Sequence, residues 1–396
     1  MLKTLLLPLF IVMAFQGHAA QLVISPEVMQ PSSMSLVCDK LDCVDALSKF
    51  RQLKEIQPAA TPVTLKRRTN LGFFERSFVR KADAVFDRNP AVAMILIEKG
   101  EIIHERYHPE VTEKTPLLSY SMSKSLTSMV VGKAHCAGDL KNLDATMKEV
   151  VPVLDGTAYG EATIKQLLMM ASGAVRGSVF SGGSPYKAGL GNPYDPFIYA
   201  STLNQVRKFK DHQLKPDGSV VKAGEEFSYK NLDSQSLAFL FPTVGERSFA
   251  HIFEKDVWQD AGAENKGYWV HDKLDVIHTA AGFHGTALDW ARVALKILET
   301  ISSSQNDCFT NYMKAATQTQ IKNTGNTMPD DHWIGRSFKG YGYQFWTQND
   351  ENSEAIYLNG AFGQRIAISP KKQRIMLVFS YKESYMGELY KLFAGW

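Results

Sequence analysis

The sequence predicts an α+β fold, an antiparallel β-sheet flanked by helices with a mainly helical lobe inserted between strands from the two ends of the chain. Three observations predict it. Apolar, strand-like runs gather at two distant places, Ala91–Ile97 with Glu101–His108 early and Gly342–Trp346, Gln364–Ser369 and Arg374–Ser380 late. The long stretch between them has helix-like spacing broken by Gly/Pro/Ser loops such as Gly173–Pro196. After the last strand, Glu383 to about Phe393 reads as a helix. Strands from both ends then share one sheet, and a cleft forms where it meets the inserted lobe.

Residues 1–20 run from Met1 and Lys3 through the apolar stretch Leu5–Phe15 to Gly17-His18-Ala19-Ala20, the layout of a secretory signal. The mature chain is expected to begin at Ala20 or Gln21, exported to a periplasmic or extracellular compartment. The apolar run is shorter than the ~20 residues that a membrane span needs, so no span is expected once the signal is removed. Residues 21–87, punctuated by Pro26, Pro31, Pro58 and Pro62, read as an N-terminal extension packing on a body formed by residues 88–396. With 44% apolar residues and a net charge of +3, the chain can bury a large core. It has no basic stripe interleaved with aromatics, so nucleic acid is not an expected partner. Export suits disulfides, and there are four cysteines. Cys38 with Cys43 would leave Cys136 with Cys308, but separate buried thiols at Cys136 and Cys308 are an equal alternative.

Along the body, a Lys99-Gly100 turn joins the first two strand-like runs into a hairpin. Leu117-Leu-Ser-Tyr-Ser-Met-Ser-Lys-Ser-Leu-Thr-Ser128 then leads into a helical pattern stopped at Gly138, which puts Ser121 and Lys124 on one first turn. Residues three apart on a helix have Cβ atoms ~5–6 Å apart, close enough for an amine to hydrogen-bond a hydroxyl. A desolvated lysine of lowered pKa can deprotonate such a serine, and the helix N-terminus favours the developing negative charge. A second S-x-x-K at Ser184–Lys187 lies among Gly182, Gly183 and Pro185, where nothing fixes the spacing. Farther on, Phe227-Ser-Tyr-Lys-Asn231 offers a phenol and an amide from one short loop. Tyr229 can relay a proton to a leaving group if Lys124 acts as the cation that lowers its pKa. Asn231 can orient a substrate carbonyl or hold Lys124.

Together with Gly360-Ala-Phe-Gly-Gln364, these motifs resemble the β-lactamase-related serine hydrolases, a family that includes class C β-lactamases, DD-peptidases, carboxylesterases and 6-aminohexanoate-dimer hydrolases. The likeness is greatest to the last of these branches. Ile164–Gly173 and Gly282–Arg292 are similar to two further landmarks, so the ordered set spans roughly residues 88–396. The resemblance implies a β-lactamase/transpeptidase-like fold and an acyl-enzyme mechanism on an ester or amide of a small molecule or peptide. Ser121 is then the nucleophile, Lys124 its activator and Tyr229 the acid/base, with Asn231, Gly360 and Ala361 on the substrate side. The backbone N–H groups of Ser121 and Ala361 would form the oxyanion hole. No cofactor is implied.

The third motif departs from the antibiotic-binding pattern, because Leu358-Asn359-Gly360 stands where a lysine or histidine normally begins it. That favours an ester or amide hydrolase over a β-lactamase or DD-peptidase, while the nearby Arg365 could substitute and keeps those two activities open. A non-catalytic peptidoglycan- or peptide-binding protein of the same fold is the alternative from another class. His104-Glu105-Arg106-Tyr107-His108 matches a zinc-peptidase pattern, which requires a helix. Here Ile102, Ile103 and Pro109 predict a strand, where four residues span ~13 Å, so no metal site is expected. His284, Tyr194 and Asp195 are minor candidates for lining the cleft. Trp333, Tyr341, Tyr343 and Trp346 read as core or loop aromatics. Substrate identity and oligomeric state are not legible.

Overall fold

Strands from the two ends of the chain do meet in one sheet. The computed structural model describes residues 52–89, 91–175, 202–207, 209–324, 337–380 and 386–396. The early strands are β1 (Gln52–Ile56), β2 (Lys66–Arg67), β3 (Ala91–Glu98), β4 (Glu101–Tyr107) and β5 (Leu117–Leu118). In the middle lie β6 (Gly267–His271) and β7 (Phe283–Gly285). The late strands are β8 (Ile321–Lys322), β9 (Phe338–Tyr341), β10 (Trp346–Asn349), β11 (Ile356–Gly360), β12 (Gln364–Ser369) and β13 (Arg374–Ser380). The large sheet has the order β2-β4-β3-β13-β12-β11-β10-β9-β8. Its seam is the antiparallel pairing of β3 with β13, from Arg374 opposite Glu98 to Ser380 opposite Ala91. The early hairpin turns at Lys99 and Gly100, both with positive φ (52° and 82°), as a tight two-residue connection requires.

β3 is buried at every position, because both faces of the sheet are covered. Ile95 and Ile97 face the large core with α5 (Ala287–Ser302), which packs on β3, β12 and β13. Met94 and Leu96 face the second core, under α1 (Phe73–Arg88) and α7 (Met386–Ala394). Alternation at a period of two sends successive side chains into different cores, and each such buried side chain contributes about 1.5–3 kcal/mol.

Two expectations need correction. Gly342–Trp346 is not a strand as a whole: Gly342–Phe345 forms the turn between β9 and β10 and only Trp346 belongs to β10, with Gln344 at φ 64° and its N–H donating to the carbonyl of Leu168, the last residue of α3 (Ile164–Leu168). The aromatics suggested a strand, but they are held by packing. The inserted lobe also contains a second, four-stranded sheet, β1-β6-β7-β5. Its strands are two to five residues long, and one comes from the N-terminal extension. That extension also supplies β2, parallel to β4, and α1.

The helix α2 (Ser123–Cys136) ends at Cys136, which is disulfide-bonded to Cys308, the first residue of α6 (Cys308–Ala316). Cys38 and Cys43 lie outside the described residues. The bridge spans 172 residues of sequence, and chain entropy alone assigns such a loop about 5 kcal/mol. Replacing both cysteines with alanine is therefore expected to lower the unfolding free energy by about 2–5 kcal/mol, read from the denaturant midpoint. An unchanged midpoint would show that the pair is not oxidised.

Candidate active site

The serine-rich run 117–128 is bound to its surroundings residue by residue. Ser119 Oγ donates to Phe283 O (2.8 Å), and Ser123 Oγ accepts the Phe283 N–H (3.1 Å). Ser125 Oγ donates to Gln344 O at 2.7 Å, Thr127 Oγ1 to Thr279 O at 2.9 Å, and Ser128 Oγ lies 3.0 Å from the Tyr312 hydroxyl. These bonds let a helix with many hydroxyls be buried all round. Ser121 occupies a 3-10 turn, Tyr120–Met122, leading directly into α2. The preceding residue, Tyr120, has φ 46°, a left-handed conformation that costs a non-glycine residue about 1–3 kcal/mol and is typical of functional turns.

The structure brings Ser121, Lys124, Tyr229 and Asn231 together. Lys124 is 1% exposed. Its Nζ lies 2.9 Å from Ser121 Oγ, 2.8 Å from Asn231 Oδ1 and 2.7 Å from the carbonyl of Ala280. None of these three partners carries a charge, so burial holds the Lys124 amine well below its usual pKa. Asn231, at the start of α4 (Asn231–Leu237), thus takes the lysine-holding role of the two expected for it. In its neutral form the amine donates two N–H groups to Asn231 and Ala280, leaving its lone pair for the Ser121 hydroxyl.

Tyr229 is hydrogen-bonded to Ser121, and its ring centroid is 5.0 Å from Lys124 Nζ. Burial pushes the phenol above its usual pKa, partly offset by the bond to Ser121 and by the charge of Arg365. At rest, with its own pKa lowered, Lys124 is not the cation that the sequence reading sets beside Tyr229. At rest the lysine is the group poised to lose its proton and the phenol the group poised to keep it.

Tyr229 is fixed from behind by aromatics first read only as core or loop fillers. Trp346 stacks on it at 5.1 Å and 29°, and Tyr341 meets it edge-on at 6.2 Å. Both are buried, as is Tyr343, and Trp333 lies outside the described residues. The loop is anchored again by Asp233, which accepts from Ser172 N (3.1 Å) and Oγ (2.9 Å) and sits 3.7 Å from Lys230 Nζ. Sequence reasoning missed Ala280, Trp346 and Asp233. Ala280 acts through a backbone carbonyl, which no residue type encodes. For Asp233 the one signal in the sequence was an acidic residue three positions after the S-Y-K run.

Gly360 ends β11 against the turn that carries Ser121: a Cβ there would lie 2.4 Å from Ser119 O, so only glycine permits the approach. Ala361 follows and packs with Tyr120 and Val270. Arg365 does not stand in for the absent cation of the third motif. It is 1% exposed and donates to the carbonyls of Gly360 (2.5 Å) and Gln364 (2.6 Å) through Nη1 and to Tyr390 Oη (3.1 Å) through Nε.

His104 lies on strand β4 as predicted, with Nε2 3.3 Å from Asp83 Oδ1, and burial lowers its pKa. His284 is buried in β7 rather than in a loop, paired with Leu118 and Tyr268. Ser184–Lys187, Tyr194 and Asp195 lie outside the described residues. Among the described residues no helix is long and apolar enough to cross a membrane.

Strands from both termini closing one sheet, with a serine–lysine helix beneath it, define the β-lactamase/transpeptidase-like class. A family model described as Beta-lactamase matches residues 78–390, and the chain belongs to that family, a hydrolase fold. No curated protein matches the chain. Among solved structures, a Bacillus anthracis protein assigned as a 6-aminohexanoate-dimer hydrolase is similar at TM-score 0.69 and 19% identity, covering 94% of this chain and 96% of that one. EstCE1, described as a hydrolase with promiscuous acyltransferase activity, is similar at TM-score 0.62 and 14% identity, covering 82% and 99%. A class C β-lactamase in complex with cefoxitin is similar at 0.56 and 15%, covering 82% and 99%. At these identities the likeness establishes the fold.

Proposed function

We propose that the protein is a serine hydrolase that cleaves an ester or amide bond of a small-molecule or peptide-like substrate through an acyl-enzyme. The observation that carries this reading is the buried Lys124 amine, 2.9 Å from Ser121 Oγ and otherwise held only by carbonyl oxygens. Neutral Lys124 takes the Ser121 proton as Oγ attacks the carbonyl, and the tetrahedral oxyanion is held by the N–H groups of Ser121 and Ala361. The resulting ammonium, close to Tyr229, then favours phenolate, so the phenol passes its proton to the departing alcohol or amine. Water releases the acid by the reverse relay. Leu358 at the head of the third motif, with Arg365 committed to the protein, favours an esterase or amidase over a β-lactamase or DD-peptidase. Export to an oxidising compartment belongs to this reading, supported by the leader-like residues 1–20 and the Cys136–Cys308 bridge.

Labelling with a fluorophosphonate followed by peptide mapping tests it. A single adduct on Ser121 is expected, with turnover of a short-chain nitrophenyl ester exceeding that of a chromogenic cephalosporin. No adduct, or an adduct on Ser184, returns the protein to a binding role or to another site.

The pH dependence follows from the two shifts. Catalysis needs neutral Lys124, so kcat/KM for the free enzyme rises with pH through the lowered lysine pKa, levels off, and falls only where Tyr229 begins to ionise, above the usual range for a phenol. A pH–rate profile flat down to the carboxylate range or rising only through that of an ordinary lysine would contradict the assignment.

A further inference from the structure

We propose that Arg365 is a positioning residue that aims the Ala361 N–H at the reacting carbonyl, by clasping the far end of the same peptide unit. This inference rests on the hydrolase reading and deepens it. The Gly360 carbonyl and the Ala361 N–H belong to one planar trans peptide, so they point in opposite directions. Arg365 Nη1 lies 2.5 Å from Gly360 O, and a group that fixes this carbonyl fixes the direction of the N–H with it. The same Nη1 reaches Gln364 O at 2.6 Å, and so ties together the two ends of the Ala361–Gly363 turn. Tyr390 on α7 holds the guanidinium by accepting from Nε at 3.1 Å.

The rest of the turn is restrained just as closely. Gln364 Nε2 donates to Ala361 O at 3.1 Å and to Ser380 O at 2.6 Å, and its Oε1 accepts the Ser380 N–H at 3.1 Å. On its other side the turn meets Tyr120 and the Gly360–Ser119 contact. A cation on a carbonyl oxygen also polarises the amide and strengthens its N–H as a donor. A buried arginine set behind the turn thus supplies both direction and polarity to an oxyanion donor without touching substrate. Its charge also lowers the pKa of the Tyr229 phenol.

Preorganised donors act on the transition state more than on bound substrate, and that sets the test. Wild type, Arg365→Lys, Arg365→Met and Tyr390→Phe are compared on a nitrophenyl ester, with rates expressed per fluorophosphonate-labelled Ser121 so that misfolded protein drops out. Inhibition by a short alkylboronic acid, whose tetrahedral adduct mimics the intermediate, is measured alongside. Arg365→Met is expected to lose about 10²-fold in kcat with KM within about threefold, and boronate affinity should fall in parallel. Arg365→Lys keeps the charge without the two-carbonyl geometry and should lose less, with the alkaline limb of the pH profile unmoved. Tyr390→Phe, which leaves every proposed catalytic group intact, should fall by a few-fold in the same direction. If the methionine variant does not fold, the other two decide. The inference is overturned if kcat per labelled site and boronate affinity stay within about threefold of wild type, or if KM alone rises. Wild-type protein that takes no label at Ser121 instead defeats the hydrolase reading, a separate result.

Discussion

Ser121→Ala is expected to lower kcat for a nitrophenyl ester by about 10⁶-fold, down to the residual rate that binding and oxyanion donors sustain alone, with the fold intact. The loss is this large because no other described hydroxyl takes its place. Ser119, Ser123, Ser125 and Ser128 are each engaged elsewhere, with Phe283, Gln344 or Tyr312. Lys124→Ala is expected to cost about as much, since a serine hydroxyl without its base is a poor nucleophile. The double variant Ser121→Ala/Lys124→Ala should then be no slower than either single one, because the two groups perform one step. Lys124→Arg sharpens the test: it keeps a cation but cannot be neutral at working pH, so a base role predicts a comparable loss. Steady-state rates on the four proteins, with circular dichroism to confirm folding, check this set. A Ser121→Ala protein within tenfold of wild type would place the chemistry elsewhere.

Much of this was legible in the sequence, and the reasons are specific. The spacing of Ser121 and Lys124 on a helix start, and the phenol and amide of Tyr229 and Asn231, are local patterns that a single turn expresses. Their convergence across 107 residues was given by resemblance, since spacing within one segment says nothing about which segments meet. β3 and β13 were visible because strands buried on both faces are continuously apolar. The four-stranded sheet was not, because strands of two to five residues carry little periodicity, and Gly342–Trp346 misled over its first four residues because aromatics in a packed turn imitate a strand. The sign of the Tyr229 shift was also out of reach. Desolvation depends on what surrounds the phenol, and the wall of Trp346 and Tyr341 comes from a distant part of the chain. Arg365 shows the same limit: its position beside the third motif suggested substrate binding, and only its contacts with Gly360, Gln364 and Tyr390 show that it faces the protein.

The second large effect is expected for Tyr229→Phe, and its size should depend on the leaving group. The phenol's chemical task in the acylation half of the proposed cycle is to protonate the departing atom, and a general acid of this kind typically contributes about 10²–10⁴-fold. A nitrophenolate leaves without a proton, so in kcat/KM, which ends at acylation and leaves out the deacylation step that also uses Tyr229, Tyr229→Phe should cost about tenfold or less on a nitrophenyl ester and about 10³-fold on an alkyl ester or amide of the same acyl group. Phenylalanine keeps the ring stacked on Trp346, so the comparison isolates the hydroxyl. The ratio of the two losses is the quantity to measure, since a packing defect would slow both substrates equally. If Tyr229 served instead as the base for Ser121, attack itself would be impaired, and the loss would be large and the same for both leaving groups. Lys124 would then lack the role its buried, uncharged surroundings point to. Burial that keeps Lys124 neutral and Tyr229 protonated predicts the unequal result, because it divides base and acid between two side chains that both touch Ser121.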